Sequence, residues 1–159
     1  MHILIDTVYI SNSEEETEYI AFNIAKNIPF GSCVGLRGNL GTGKTVFARG
    51  FARGLGIDDI ISSPTFTLVK EYHAGNDRWL YHLDLYRITN VESALVFGID
   101  EYLNDSNAIV LIEWPERIHE LFAPDSIFID IERTGQDTRK ISVAKGSFST
   151  QKTQGEVRS

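Results

Sequence analysis

Cysteine is almost absent from this sequence: Cys33 is the only one. A disulfide framework is thereby excluded. A lone thiol inside an apolar run suits a core position in a reducing, cytoplasmic setting. Apolar runs approaching the ~20 residues needed to cross a bilayer are missing. So is a basic opening followed by an apolar block, and neither a membrane span nor a secretory leader is expected. Positive charge is short as well: 15 Lys and Arg stand against 22 Asp and Glu, a net charge of −7. A chain that grips nucleic acid by itself needs clustered cations, so any contact with RNA is expected to run through partners. No internal repeat is visible.

What is present belongs to an ordinary globular protein. The 159 residues carry 42% hydrophobic side chains, enough to bury one substantial core. Residues 1–146 read as a single domain. Residues 147–159, rich in Ser, Thr, Gln and charge, read as a poorly ordered tail.

The chemical signal is GNLGTGKT at residues 38–45, which fits G-x-x-x-x-G-K-[ST]. Gly41 and Gly43 permit backbone angles that a β-carbon forbids, so successive N–H groups of Asn39, Leu40, Gly41, Thr42 and Gly43 can turn toward an anion. Lys44 supplies a point charge for β- and γ-phosphates, and the Thr45 hydroxyl is placed to ligate Mg²⁺. The context agrees. An apolar run at residues 33–37 predicts a buried strand ahead of the loop. Helical spacing of Val46, Phe47, Phe51 and Leu55 predicts a helix behind it, closed by Gly56.

The rest of the chain reads as alternating elements. A strand is expected over residues 2–10, then a helix from a capping box of Ser13 and Glu16 to about Asn27. Residues 62–65 form a loop and residues 66–86 a β-hairpin turning at 73–77. Residues 90–103 are helical or irregular, 108–112 a wholly apolar strand, and Pro115 opens a short helix to about Phe122. Strands near 126–132 and 139–145 finish the domain. The fold class is therefore α/β: a P-loop NTPase-like arrangement with a mixed parallel and antiparallel central sheet flanked by helices.

A P-loop needs a carboxylate at a neighbouring strand end for its metal. Glu113 closes the apolar run IVLIE, and Asp84 lies in YHLDLYR, so both are candidates. His82 shares a strand face with Asp84 and is either an orienting group or a core histidine. Trp114 is either a base-stacking residue or a loop-packing one. Thr65 in the loop SSPT could offer its hydroxyl to the metal, where switch proteins read the γ-phosphate. Arg49 and Arg53 make a basic stripe on the helix after the loop. Asn-Lys-x-Asp, Arg-rich lid stretches and transporter signatures are missing, which weakens a guanine-specific GTPase, a small-molecule kinase and a transporter ATPase.

In order, GNLGTGKT, SSPTFTLVKEY, YHLDLYR and LIEWPER closely resemble the TsaE (formerly YjeE) family, over about residues 10–145. That resemblance implies a weak ATPase that binds ATP and Mg²⁺. It implies work with the TsaB–TsaD pair in threonylcarbamoyladenosine modification of tRNA, with hydrolysis resetting the assembly between turnovers. It assigns the Walker lysine and threonine to Lys44 and Thr45, the switch-like triplet to Ser63, Pro64 and Thr65, and the catalytic aspartate to Asp84. The metal-linked glutamate and following tryptophan fall on Glu113 and Trp114, and the adenine contact near Ser11. Asn39 and Thr42 depart from the residues common in the family, without removing a required side chain. A nucleotide-dependent switch without turnover and a small-molecule kinase remain as alternatives.

Overall fold

The computed structural model describes residues 6–39, 41–64 and 67–146. Leu40, Thr65, Phe66, the first four residues of the expected opening strand (residues 2–5) and the expected tail (residues 147–159) lie outside the described residues. The described chain builds β1 (Thr7–Ser11), α1 (Glu14–Lys26), β2 (Cys33–Arg37), α2 (Lys44–Gly54), β3 (Val69–His73) and β4 (Trp79–Asp84). Then follow α3 (Val91–Val96), α4 (Ile99–Leu103), β5 (Ala108–Glu113), a 3₁₀ segment (Pro115–Leu121), β6 (Ile127–Arg133) and β7 (Arg139–Lys145).

The strands form one sheet of seven in the order β1-β7-β6-β2-β5-β4-β3. Neighbours among β6, β2, β5 and β4 run parallel, while β3, β7 and β1 pair antiparallel at the flanks. A parallel centre must be covered on both faces, which is why β5 is apolar through Ile112 and buried at every position. Alternation then splits its side chains. Ile109 and Leu111 join Phe47 and Phe51 of α2 on one face; Val110 and Ile112 join Ile99, Ile118 and Phe128 on the other. Each fully buried Phe of that first face contributes about 1.5–3 kcal/mol.

Local chemistry explains the boundaries. Ser13 caps α1 by accepting the Glu16 amide at 3.1 Å, and Glu16 returns a bond to the Asn12 amide at 2.6 Å, one residue before the expected box position. β3 begins later than the sequence predicts. The Leu68 amide donates to the Pro64 carbonyl at 2.8 Å and Leu68 holds φ 71°, so a turn occupies the place expected for strand. β4 stops at Asp84 rather than Tyr86 because the Asp84 side chain accepts the Tyr86 amide at 3.0 Å, an Asx turn. Residues 90–103 resolve into two short helices separated at Gly98, with φ 77°.

Cys33 packs against the second face, as its apolar setting predicts. Burial, then the Asp125 carboxylate, push its thiol up to about 11. Among the described residues no helix is long and apolar enough to cross a membrane.

Helix α1 rests directly on the backbone of α2. A β-carbon at Gly50 would overlap the Glu18 carbonyl, and one at Gly54 the Phe22 carbonyl. The two glycines, four apart, form a smooth strip that lets the helices touch. Arg49 and Arg53 reach across to Glu18 at 3.2 and 2.6 Å, so both members of the basic stripe share one carboxylate of α1. Gly50→Ala gains up to about 1 kcal/mol of helix propensity but pushes α1 off its seat. We expect a net loss of about 1–3 kcal/mol, the usual range for overpacking, read as a lower urea midpoint. A midpoint at or above that of the wild type would contradict the close contact.

Candidate functional site

Parallel strands deliver their C-terminal ends to one edge, and the glycine loop follows β2 there. Gly41 and Gly43 hold φ of 82° and 104°, left-handed angles that a side chain disfavours, and Gly43 caps α2 without a side-chain bond. Free amides at the start of this helix of 11 residues make its N-terminus electropositive. The loop is braced from within. Thr42 donates through its hydroxyl to the Asn39 carbonyl at 2.8 Å, and its amide does the same at 3.2 Å. Gly38 is equally constrained, since a β-carbon there would stand 2.6 Å from the Thr42 hydroxyl and 2.8 Å from the Ile131 carbonyl.

Beneath the loop lies a buried charge cluster. Lys44 and Glu113 are only 7% and 5% exposed, with Lys44 Nζ 3.9 Å from Glu113 Oε1. At that separation the attraction is about 4 kcal/mol in an effective dielectric near 20, while desolvation costs several kcal/mol per ion. The pair alone therefore does not offset its own burial, and further partners gather round it. His82 Nε2 sits 2.8 Å from Glu113 Oε2, and the Trp114 ring lies 4.6 Å beneath Lys44 Nζ. A carboxylate only accepts, so His82 carries its proton on Nε2. Its Nδ1 is buried with no hydrogen-bond partner among the described residues. The histidine is thus an orienting group for Glu113.

Asp84 ends β4 beside Glu113; the two are register partners on adjacent parallel strands. It is 7% exposed, its carboxylate accepting the Tyr86 amide. Lys44, Thr45, Asp84, Glu113 and Trp114 are thus collected at one strand edge from three separate stretches of chain. Thr65 falls outside the described residues, next to Pro64.

Trp114 adopts φ 61°, a strained angle for a bulky residue, of order 1–3 kcal/mol. The sharp turn lays its indole between Lys44 and the Tyr86 ring, whose centroid is 5.1 Å away. Arg117 reinforces this packing: it donates to the Tyr86 carbonyl at 3.2 Å and stands over both rings. Ser11 is fully buried. Its hydroxyl donates to the Ser13 carbonyl at 2.8 Å and shares a bond with Thr17 at 2.7 Å, which commits it to the start of α1. The Ser11 backbone nevertheless reaches this edge, opposite Arg139 of β7.

Arg139 is the residue that local reading missed. Its Nε donates to the Thr42 carbonyl at 2.7 Å, holding the loop from a strand 97 positions later. No motif marks it; only the sheet register brings it there. A cavity of about 550 Å³ opens on the loop's flank, lined by Gly38, Asn39, Thr42, Arg37, Asp130 and Trp114 among others. It adjoins the Lys44–Glu113 cluster without containing it. Oxygen donors on Thr45, Glu113 and Asp84 suit a hard cation such as Mg²⁺. Among the described residues no group of three His, Cys, Asp or Glu forms a self-sufficient metal cage.

His82→Leu removes the donor from a buried carboxylate and should cost about 1–3 kcal/mol in urea unfolding. His82→Gln, which keeps an N–H at the end of its side chain, should recover part of it. Wild-type stability in the leucine variant would show that Glu113 does not depend on the histidine.

Comparison with known proteins places the chain in a family. Residues 11–141 match the family model described as threonylcarbamoyl adenosine biosynthesis protein TsaE. A Bacillus subtilis (strain 168) protein named tRNA threonylcarbamoyladenosine biosynthesis protein TsaE is 43% identical over 128 residues. That alignment covers 80% of this chain and 78% of the relative. The Treponema pallidum protein of the same name is 36% identical over 135 residues, 85% of this chain and 98% of the relative. In solved structures, the Bacillus subtilis protein YdiB superimposes with a TM-score of 0.74 at 36% identity, covering 92% of this chain and 90% of that one.

Proposed function

The chain belongs to the TsaE family of tRNA threonylcarbamoyladenosine biosynthesis, and from that premise we propose that it is the ATP-hydrolysing, Mg²⁺-dependent subunit of the modifying machinery in the cytoplasm. It acts with the TsaB–TsaD pair, reaches tRNA only through those partners, and resets them between turnovers. The observation that carries this reading is the buried Lys44–Glu113 pair under a left-handed glycine loop, with Asp84 in register beside it.

The loop amides and the α2 N-terminus bind the triphosphate. Lys44 would turn from Glu113 to the β- and γ-phosphates, and Glu113, the Thr45 hydroxyl and nearby Asp84 would be the groups to hold a divalent cation. Mg²⁺, when bound, neutralises charge on the phosphate oxygens. His82 keeps Glu113 from rotating away, and Trp114 keeps one side of Lys44 dry. Asp84, fixed by the Tyr86 amide, orients a water or takes its proton as that water attacks the γ-phosphorus. The bond from the γ-phosphorus to the bridging oxygen then breaks, and ADP departs with that oxygen. Thr65 contributes its hydroxyl from the Ser63-Pro64-Thr65 switch, and the Ser11 end of β1 lies on the side of the adenine.

Lys44→Ala should weaken ATP binding by about 2–4 kcal/mol, the cost of truncating one partner of a desolvated charge pair; unchanged affinity by calorimetry would rule the site out. Glu113→Ala should lose the Mg²⁺-dependent part of binding. Asp84→Ala should keep binding but lower turnover ~10²–10⁴-fold and halt tRNA modification after about one round. Many rounds of modification with Asp84→Ala would contradict the reset role and favour a nucleotide switch without turnover.

A further inference from the structure

A second pocket lies on the opposite face of β4 from the α1–α2 layer, away from the glycine loop. It encloses about 340 Å³ and is lined by Tyr81, Phe97, Gly98, Glu101 and Tyr102. Tyr81 and Tyr102 meet edge to face with ring centroids 4.8 Å apart. Each hydroxyl is tied to a carboxylate, Tyr81 to Asp105 at 2.6 Å and Tyr102 to Glu71 at 2.8 Å. Burial, then the Asp105 bond, raises the Tyr81 hydroxyl above its ordinary range, and the Glu71 bond does the same for Tyr102. Both phenols therefore stay protonated, with their donors spent on acids. What the pocket offers a visitor is aromatic surface and the exposed Glu101 carboxylate, and no cation is among its described lining residues.

Beside this pocket the end of α3 and its C-cap leave three successive apolar side chains in water: Leu95 at 43%, Val96 at 84% and Phe97 at 61% exposure. The left-handed Gly98 turns the chain so that Phe97 belongs both to this ridge and to the pocket wall. Glu92 and Glu101 stand exposed at either end of the ridge. An apolar ridge with an aromatic, acid-lined hole is complementary to one kind of surface: a cationic side chain set among apolar ones. A cation over such rings contributes roughly 0.5–2 kcal/mol, more as water is excluded. The same carboxylates repel the phosphates of RNA.

We propose that this pocket receives an arginine or lysine side chain from a partner protein, while Leu95, Val96 and Phe97 pack against the apolar residues around it. The proposal rests on the reading that the chain works with the TsaB–TsaD pair, and it assigns that cationic group to the pair. Because Tyr81 and Asp84 share β4, this docking surface and the nucleotide site are built on one strand.

The test measures binding of the TsaB–TsaD pair to the full chain by calorimetry, for wild type, Phe97→Ser and Glu101→Lys. Both variants should bind at least tenfold more weakly, with ATP affinity and melting temperature unchanged, because both side chains are exposed and outside the nucleotide site. Glu101→Gln should fall between wild type and Glu101→Lys. If the wild type binds and all variants bind equally well, the docking surface is wrong while the partner reading stands. If the wild type does not bind the pair, the partner reading fails and this assignment with it. Sedimentation of the chain alone provides the last arm: self-association abolished by Phe97→Ser would make a second copy the occupant and overturn the proposal.

Discussion

Burial of one lysine beside one glutamate governs the architecture of this protein. Lys44 and Glu113 come from opposite halves of the chain, and neither is tolerated in a protein interior without partners. Meeting their needs requires β2 and β5 to be adjacent and parallel, so that a loop leaving one strand hangs over the end of the other. It requires His82 on β4 to face Glu113, which fixes the next register. It also draws Trp114 into a left-handed turn that a relaxed loop would avoid. The sheet order at the centre of the molecule is the arrangement that satisfies these demands together.

The surrounding structure holds that cluster rigidly. α2 is pressed onto the sheet by Phe47 and Phe51 and is clamped from outside by α1, with bare glycine backbone at the contact. The loop is tied at its centre by Arg139 and at its start by the tight fit of Gly38. Preorganisation of this kind suits anion binding, since the amides need little rearrangement when a phosphate arrives. The wall made by Trp114, Tyr86 and Arg117 joins the site to the loop that leads toward α3.

Features encoded within a few residues were legible in the sequence. The glycine loop, the Ser13 cap and the apolar β5 with its closing Glu113 needed only local spacing and appear where that spacing predicts, whereas Asp84 ends a strand that local pattern carries on to Tyr86. Features set by tertiary register were not. Arg139 is a lone arginine at a strand start until β7 is placed two strands from β2. The delayed start of β3 follows from a turn at Pro64 that competes with strand propensity in TFTLVKEY. Gly50 and Gly54 did carry a visible signal, small residues four apart on one helix face, but the meaning depends on which helix lies across them. Arg49 and Arg53 looked like a free basic stripe because Glu18, their partner, lies more than 30 positions earlier.

The central claim is that the buried pair is built to be completed by a triphosphate and a divalent cation. Calorimetric titration of the full chain with ATP, in Mg²⁺ and again with Mg²⁺ chelated, tests it most directly. The account predicts one nucleotide bound per chain and clearly weaker binding once the metal is removed. Equal affinity in both conditions, or no binding in either, would contradict it.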